Sequence, residues 1–256
     1  MSTAATRRIR FRYAKGGKIR FTSQRDVARM WERALRRSGL PVAWSEGFSP
    51  RPLLSFGLAL PTGCESSGEY LDVRVEADVG GPIVDLAGLA PQLTELLPEG
   101  IDVQAAAGLE GVGVSLQQEV TSCNWEMEVQ GVLAEELATR VGRLLASPSV
   151  LIRRERKGRP VEDDLRPAVR SLALLVDPVD RTPVAGTARI EAELATHPRG
   201  VRPKELLEGL GTDLVLVRAC RTHQWIERDG SRWEPLDPDG HLPPGADAPH
   251  AQERAS

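Results

Sequence analysis

Arg8-Ile9-Arg10-Phe11-Arg12-Tyr13 alternates strictly between arginine and apolar residues. Successive strand side chains point to opposite faces, so this stretch is a β-strand with one apolar face and one arginine face. Lys15-Gly16-Gly17-Lys18 is a turn signal, and Ile19-Arg20-Phe21 reads as a resumption of the alternation. Ser23 then fits a helix N-cap, with Asp26 three residues on as its capping partner. The helix runs to about Arg37 and is ended by Gly39. Val27, Met30, Trp31, Ala34 and Leu35 share one face, and Arg25, Arg29, Arg33 and Arg36 stripe the opposite one.

Outward from this core, Pro41–Trp44 reads as a short strand, and 45–52 is a loop dense in Gly and Pro. Strands follow at Leu54–Leu60 and Glu69–Val75, then a helix near Ile83–Leu97 and a strand at Ile101–Ala106. The order is β-α-β-β-α-β with one extra strand, which predicts a ferredoxin-like domain. After a Gly-rich break the order returns. Val120–Val129 is a strand, Leu133–Leu145 a helix and Val150–Arg154 a strand, followed by a charged loop over Arg156–Asp164. Strands at Arg170–Val176 and Gly186–Leu194, a helix at Pro203–Leu210 and a strand from Leu214 complete it. The fold class expected is therefore α+β, with two tandem ferredoxin-like (βαββαβ) domains built on antiparallel sheets. The expected organisation is an arginine-rich domain over 1–107, a linker over 108–117, a second domain over 118–234 and a disordered tail over 235–256, where Pro, Gly, Asp and Ala dominate.

The 256 residues carry a net charge of −3 that conceals an asymmetry. Residues 1–55 hold 13 Lys or Arg and three acids, a net of +10 against −13 for the remainder. A basic block on an acidic body points to a polyanion or an acidic protein as partner. Three widely separated cysteines, Cys64, Cys123 and Cys220, exclude a disulfide framework, a CxxC zinc site and an iron–sulfur thiol triplet. With no long apolar run and no signal-peptide pattern, the expectation is a cytoplasmic protein with no membrane partner.

Phosphate-loop, dinucleotide, HExxH and GxSxG motifs are absent, and the four histidines lie apart. No catalytic residue, metal ligand, cofactor or small-molecule substrate is therefore assigned. The binding candidates are Arg8, Arg10, Arg12, Lys15, Arg20, Gln24, Arg25, Asp26, Arg29, Arg33, Arg36, Ser45, Glu46, Phe48 and Arg51. The arginine face of the first strand fits either a solvated sheet face or an RNA-binding one, since single-sheet RNA-binding domains of this architecture use that face. Arginine grips phosphate bidentately and stacks on bases. Asp26 reads first as a cap and an i,i+3 partner of Arg29; the alternative is a group that orients the arginine cluster or does acid–base work. Trp31 and Trp44 read as core, whereas Phe48, in the Gly/Pro loop, reads as a stacking platform.

Several strings together resemble a known family. They are Tyr13–Gly17 through Arg20–Asp26, Glu32–Pro41, Ser45-Glu46-Gly47-Phe48-Ser49-Pro50, Ser55-Phe56-Gly57 with Leu60–Gly63, and Glu69-Tyr70-Leu71-Asp72. Asp164-Leu165-Arg166-Pro167 and Arg202-Pro203 are fainter marks. The run is similar to the radical-SAM-linked protein family, a bacterial domain family of unknown function fused to or encoded beside radical SAM proteins. The resemblance implies RNA processing or modification, with RNA (tRNA and rRNA both fit) and a radical SAM protein as partners. The family pattern carries His where this chain has Gln24, and often where it has Arg51, so both positions favour binding over proton shuttling. The leading expectation is a non-catalytic accessory protein. The alternatives are a metal-independent endoribonuclease-like enzyme and a protein-only adaptor with a basic docking face.

Overall fold

The computed structural model describes residues 6–76, 86–109, 114–156, 158–175, 186–244 and 246. The chain is mixed α/β, with mostly antiparallel multi-stranded sheet and five α-helices among the described residues. It divides into two compact units. The first comprises Met1–Thr62, Ser66–Val120 and Trp225–Ser256, the second Gly63–Glu65 and Thr121–Gln224.

In the first unit, β1 (Thr6–Lys15) leads through a 3-10 turn (Gly17–Phe21) into α1 (Gln24–Ser38). The 3-10 turn stands where the alternation predicts a resumed strand. Gly17 takes φ +62°, a conformation that favours glycine, and the turn leaves Phe21 63% exposed. β2 (Leu54–Phe56), β3 (Glu65–Glu76), α2 (Leu86–Leu96), β4 (Ile101–Leu109) and the single turn of α3 (Leu116–Glu119) follow. Both β3 and β4 pair antiparallel with β1, in the order β4-β1-β3, and β2 pairs antiparallel with β3. β2 ends four residues short of the expected strand, while β4 runs on through Gly108 and Leu109 into the expected linker; 110–113 lie outside the described residues.

The core of this unit is what the alternation demands. Ile9, Phe11 and Tyr13 pack under Val27, Trp31, Ala34 and Leu35 of α1 and Leu89, Ala90 and Leu93 of α2. Trp31 meets Phe11 at 5.7 Å and the edge of Tyr13 at 5.1 Å between ring centroids. The helix forms where its caps permit. The Ser23 hydroxyl accepts the Asp26 N–H at 3.2 Å, and Gly39 stops the helix in the left-handed conformation at φ +76°.

In the second unit, β5 (Val120–Gln130) and α4 (Ala134–Ala146) are followed by a hairpin of β6 (Leu151–Arg156) and β7 (Arg159–Asp164), where a strand and a charged loop were expected. Then come β8 (Val169–Leu175), β9 (Thr187–Ala195), α5 (Pro203–Leu210) and β10 (Val215–Arg228), in the sheet order β10-β5-β9-β8. The end of β10, from Trp225, belongs to the first unit, where β11 (Ser231–Trp233) pairs with it.

The largest departure from expectation concerns residues 235–244. Their composition predicts a disordered tail, yet Leu236 is fully buried in a cluster with Tyr70, Ala105, Ala107 and Leu116, with Leu242 packed against it. The rest of that predicted tail, apart from Ala246, lies outside the described residues. Among the described residues, no helix is long and apolar enough to cross a membrane.

Candidate nucleic-acid interface

The arginines of the first 55 residues separate into two groups with opposite fates. Arg10 and Arg12, on the arginine face of β1, are 2% and 4% exposed. Arg10 forks onto Asp72 at 2.7 and 2.9 Å and reaches the Pro235 carbonyl at 3.3 Å. Arg12 donates to Gln104 at 2.8 Å, to the Tyr70 hydroxyl at 2.7 Å, to Glu234 at 2.6 Å and to the Leu236 carbonyl at 3.1 Å. Glycine at 68 makes room for it, since a Cβ there would stand 2.9 Å from Arg12 Nη2. Arg8 is largely covered and lies 3.6 Å from Asp72. Lys15 is buried and donates to the Thr22 carbonyl at 3.1 Å.

The reading of Arg8, Arg10 and Arg12 as an open sheet face, solvated or RNA-binding, is thus corrected, and the binding candidate Lys15 is buried as well. Burying a guanidinium is tolerable only when its donors are matched, and Pro235, Leu236 and Glu234 help to match those of Arg10 and Arg12. Donors committed in this way are not presented to a phosphate.

The second group lies on α1 and its flanks. Arg25, Arg29, Arg33 and Arg36 are all exposed, as the helical periodicity predicts. Asp26 acts as a cap: it accepts the Ser23 hydroxyl at 2.7 Å and pairs with Arg29 at 3.3 Å, with both side chains about half exposed. Arg25 and Arg33 make no ion pair among the described residues. Gln24, partly exposed, opens the helix. Just before it, the Arg20 guanidinium stacks over the Phe21 ring at 4.6 Å.

At the other end of α1, Arg36 lies over the Trp44 ring at 4.9 Å, and Trp44 is 38% exposed. Trp31 is core as expected; Trp44 is not, because a guanidinium covers one ring face in place of apolar packing. Trp44 pairs with Pro52 in an isolated bridge, which closes the base of the loop. Inside that bridge, Ser45 N–H donates to the Arg51 carbonyl at 2.8 Å, and Arg51 N–H donates to the Ser45 hydroxyl at 3.0 Å. Gly47 turns the chain at φ +120°. The closed base holds Phe48 out in solvent, fully exposed, with Glu46 and Arg51 also exposed.

The structure therefore brings Arg20, Gln24, Arg25, Asp26, Arg29, Arg33 and Arg36 onto α1 and its approach. Through Arg36 and Trp44 it joins them to the loop of Ser45, Glu46, Phe48 and Arg51. Sequence reasoning missed Phe21 and Trp44. The signal for Trp44 was its place beside a Gly/Pro loop; for Phe21, the glycine pair before it.

The second unit holds a cavity of about 840 Å³ lined by residues that include Arg154, Asp163, Asp164, His197, Arg199 and Glu205. Its charges compensate each other: Asp163 pairs with both Arg154 and Arg199, and Arg199 also reaches Glu205 at 3.0 Å. Asp237, Asp239 and His241 could approach one ion together, but they are mostly exposed, and the Asp237 carboxylate already engages His241 at 3.0 Å.

The sequence model of a bacterial domain family, described as an uncharacterized protein conserved in bacteria (DUF2344), matches residues 8–203. The chain belongs to this family. The match begins in β1, contains α1 and the 44–52 loop entire, and ends at the first residue of α5. No curated protein matches. Among solved structures, a chain of a crystal structure of a Cbf5–Nop10–Gar1 complex is similar at a TM-score of 0.44 and 10% identity, covering 84% of this chain and 49% of that one. The chain thus spans about half the length of that protein.

Proposed function

We propose that the protein is an accessory protein that binds RNA through the exposed face of α1 and the adjoining 44–52 loop. The observation that carries this reading is the stripe of Arg25, Arg29, Arg33 and Arg36, exposed and only lightly compensated, and flanked by arginine-stacked aromatics at both ends. Guanidinium forks match phosphate oxygens, and four such groups along one helix face supply the sequence-independent attraction on which nucleic-acid binding rests.

The same reading takes both units as ferredoxin-like. The sheet order β4-β1-β3 with β2 beside β3, and the order β10-β5-β9-β8, support it. It also keeps the radical SAM protein as a partner, on the family resemblance of residues 8–75, and a cytoplasmic location, on three cysteines spaced too far apart in sequence for a disulfide framework and on the absence of a signal-peptide pattern.

The test is filter binding of total cellular RNA across a salt series. Binding whose log K falls steeply with log salt, by about 0.7–0.9 per phosphate contacted, supports the reading. Wild-type protein that binds no RNA at low salt, yet captures an acidic partner protein through the same arginines, replaces it with the adaptor.

A further inference from the structure

Resting on the RNA reading of this surface, we infer that its ligand is single-stranded RNA with unstacked bases, lying along α1 between Phe21 and the Trp44–Phe48 loop. Three large aromatic rings depart from the usual pattern of burial here: Phe21, Trp44 and Phe48 are exposed although the unit has a packed aromatic core around Trp31. Exposed rings cost solvation, and singly they mean little. These three are not scattered. Phe21 sits three residues before α1, Trp44 is held under Arg36 from its last turn, and Phe48 tops the loop closed by the Trp44–Pro52 bridge. The arginine stripe runs between them along a 15-residue helix, roughly 22 Å long.

Rings and phosphate-binding forks in one track suit one kind of polyanion. In an A-form duplex the base faces are stacked on each other and closed to side chains, so exposed rings gain nothing. A single strand offers both a charged backbone for the stripe and free base faces for the rings. An acidic protein satisfies the arginines, but it does not carry a flat π-face beside each negative charge as a single strand does, with a base on every phosphate unit to meet Phe21 and Phe48. The two pre-formed arginine–aromatic stacks add polarised platforms of the sort on which bases lie.

The experiment uses the full chain and two fluorescent RNAs of the same sequence, about 12 nucleotides long, one single-stranded and one annealed. Phe21→Ala, Phe48→Ala and Phe48→Trp are compared with wild type. The single strand is expected to bind at least tenfold tighter than the duplex. Each alanine variant weakens the single strand about 5- to 100-fold while leaving its salt slope and the melting temperature unchanged, and Phe48→Trp restores binding. Duplex binding equal to or tighter than single-strand binding overturns the inference, as do alanine variants that bind like wild type; both leave the RNA reading standing. Wild-type protein that binds neither RNA at low salt removes the RNA reading itself, and this inference with it.

Discussion

Arg12 and Glu234 are separated by 222 positions in sequence and meet at 2.6 Å, with both side chains nearly excluded from water. The contact explains why the arginine face of β1 is closed. Glu234, with the carbonyls of Pro235 and Leu236, brings the far end of the chain over the sheet and matches guanidinium donors that would otherwise be buried without partners. The basic surface left for a ligand is thereby confined to α1 and its flanks.

Replacing Glu234 with alanine should destabilise the first unit by about 3 kcal/mol, because it leaves the Arg12 charge buried and short of its carboxylate. The Tyr70 hydroxyl, Gln104 and the Leu236 carbonyl still hold Arg12, which keeps the loss at the low end for a broken buried pair. Glu234→Gln retains an acceptor and should cost about 1 kcal/mol. Urea midpoints of the three proteins measure both. Equal midpoints for wild type and Glu234→Ala would mean that the 234–236 segment does not hold Arg12 in solution.

Much of this arrangement is legible in the sequence, and the illegible part has two physical causes. The alternation over Arg8–Tyr13, the Ser23 cap, the Gly39 stop and the split faces of α1 are local patterns, and each appears where it is expected. Which side of β1 meets water is not local. It depends on Leu236 and Glu234, which sit in a stretch whose Pro, Gly and Asp content reads as a tail. The exposure of Phe21 has a local cause: Gly17 diverts the chain into a 3-10 turn, and alternation alone does not register a positive φ.

Tyr70 should resist ionisation. Burial pushes its phenol well above the ordinary value of 10.0; the Arg12 guanidinium pulls it down, and Glu234 and Glu69 push it further up. A raised folded-state value means that the folded protein holds the proton after the unfolded chain has lost it. The stabilisation is therefore complete below about pH 10 and is lost as pH rises beyond it. The chain has two tyrosines, so Tyr13→Phe leaves Tyr70 as the sole phenol. Phenolate absorbance in that variant should stay flat past pH 10 and rise only with unfolding. A reversible rise near pH 10, with the circular dichroism unchanged, would show that Tyr70 is open to water.

The second unit should lose stability in acid through Asp164. Its carboxylate accepts the Val150 N–H at 2.8 Å and the Arg166 N–H at 2.9 Å, and these bonds hold its carboxyl below the usual carboxylate range. A lowered folded-state value stabilises the fold above the unfolded value, near 3.8, and the contribution disappears as pH falls through the folded one. Asp164→Ala removes the titrating group, so its melting temperature should fall less steeply than that of wild type below about pH 4. Parallel acid limbs for the two proteins would show that these two hydrogen bonds do not persist in solution.

Changing Arg29 and Arg33 together to Glu should abolish RNA binding and leave the fold intact. Both side chains are exposed on the face of α1 opposite Val27, Trp31, Ala34 and Leu35, and Arg33 makes no ion pair among the described residues. Exposed substitutions of this kind stay within about 0.5 kcal/mol, although a carboxylate at position 29 would face Asp26 and forgo the pair that Arg29 makes there. Binding suffers twice, since two attractions are removed and two repulsions are added, and the salt slope should shrink by about one unit per lost phosphate contact. Trp31→Ala provides the contrast. Trp31 is fully buried against Phe11 and Tyr13, so its loss should cost about 3–5 kcal/mol and damage binding only by unfolding the unit. Circular dichroism melts beside RNA titrations separate the two effects. A doubly substituted protein that melts normally and binds RNA at wild-type strength would reduce the arginine stripe to a solvated helix face.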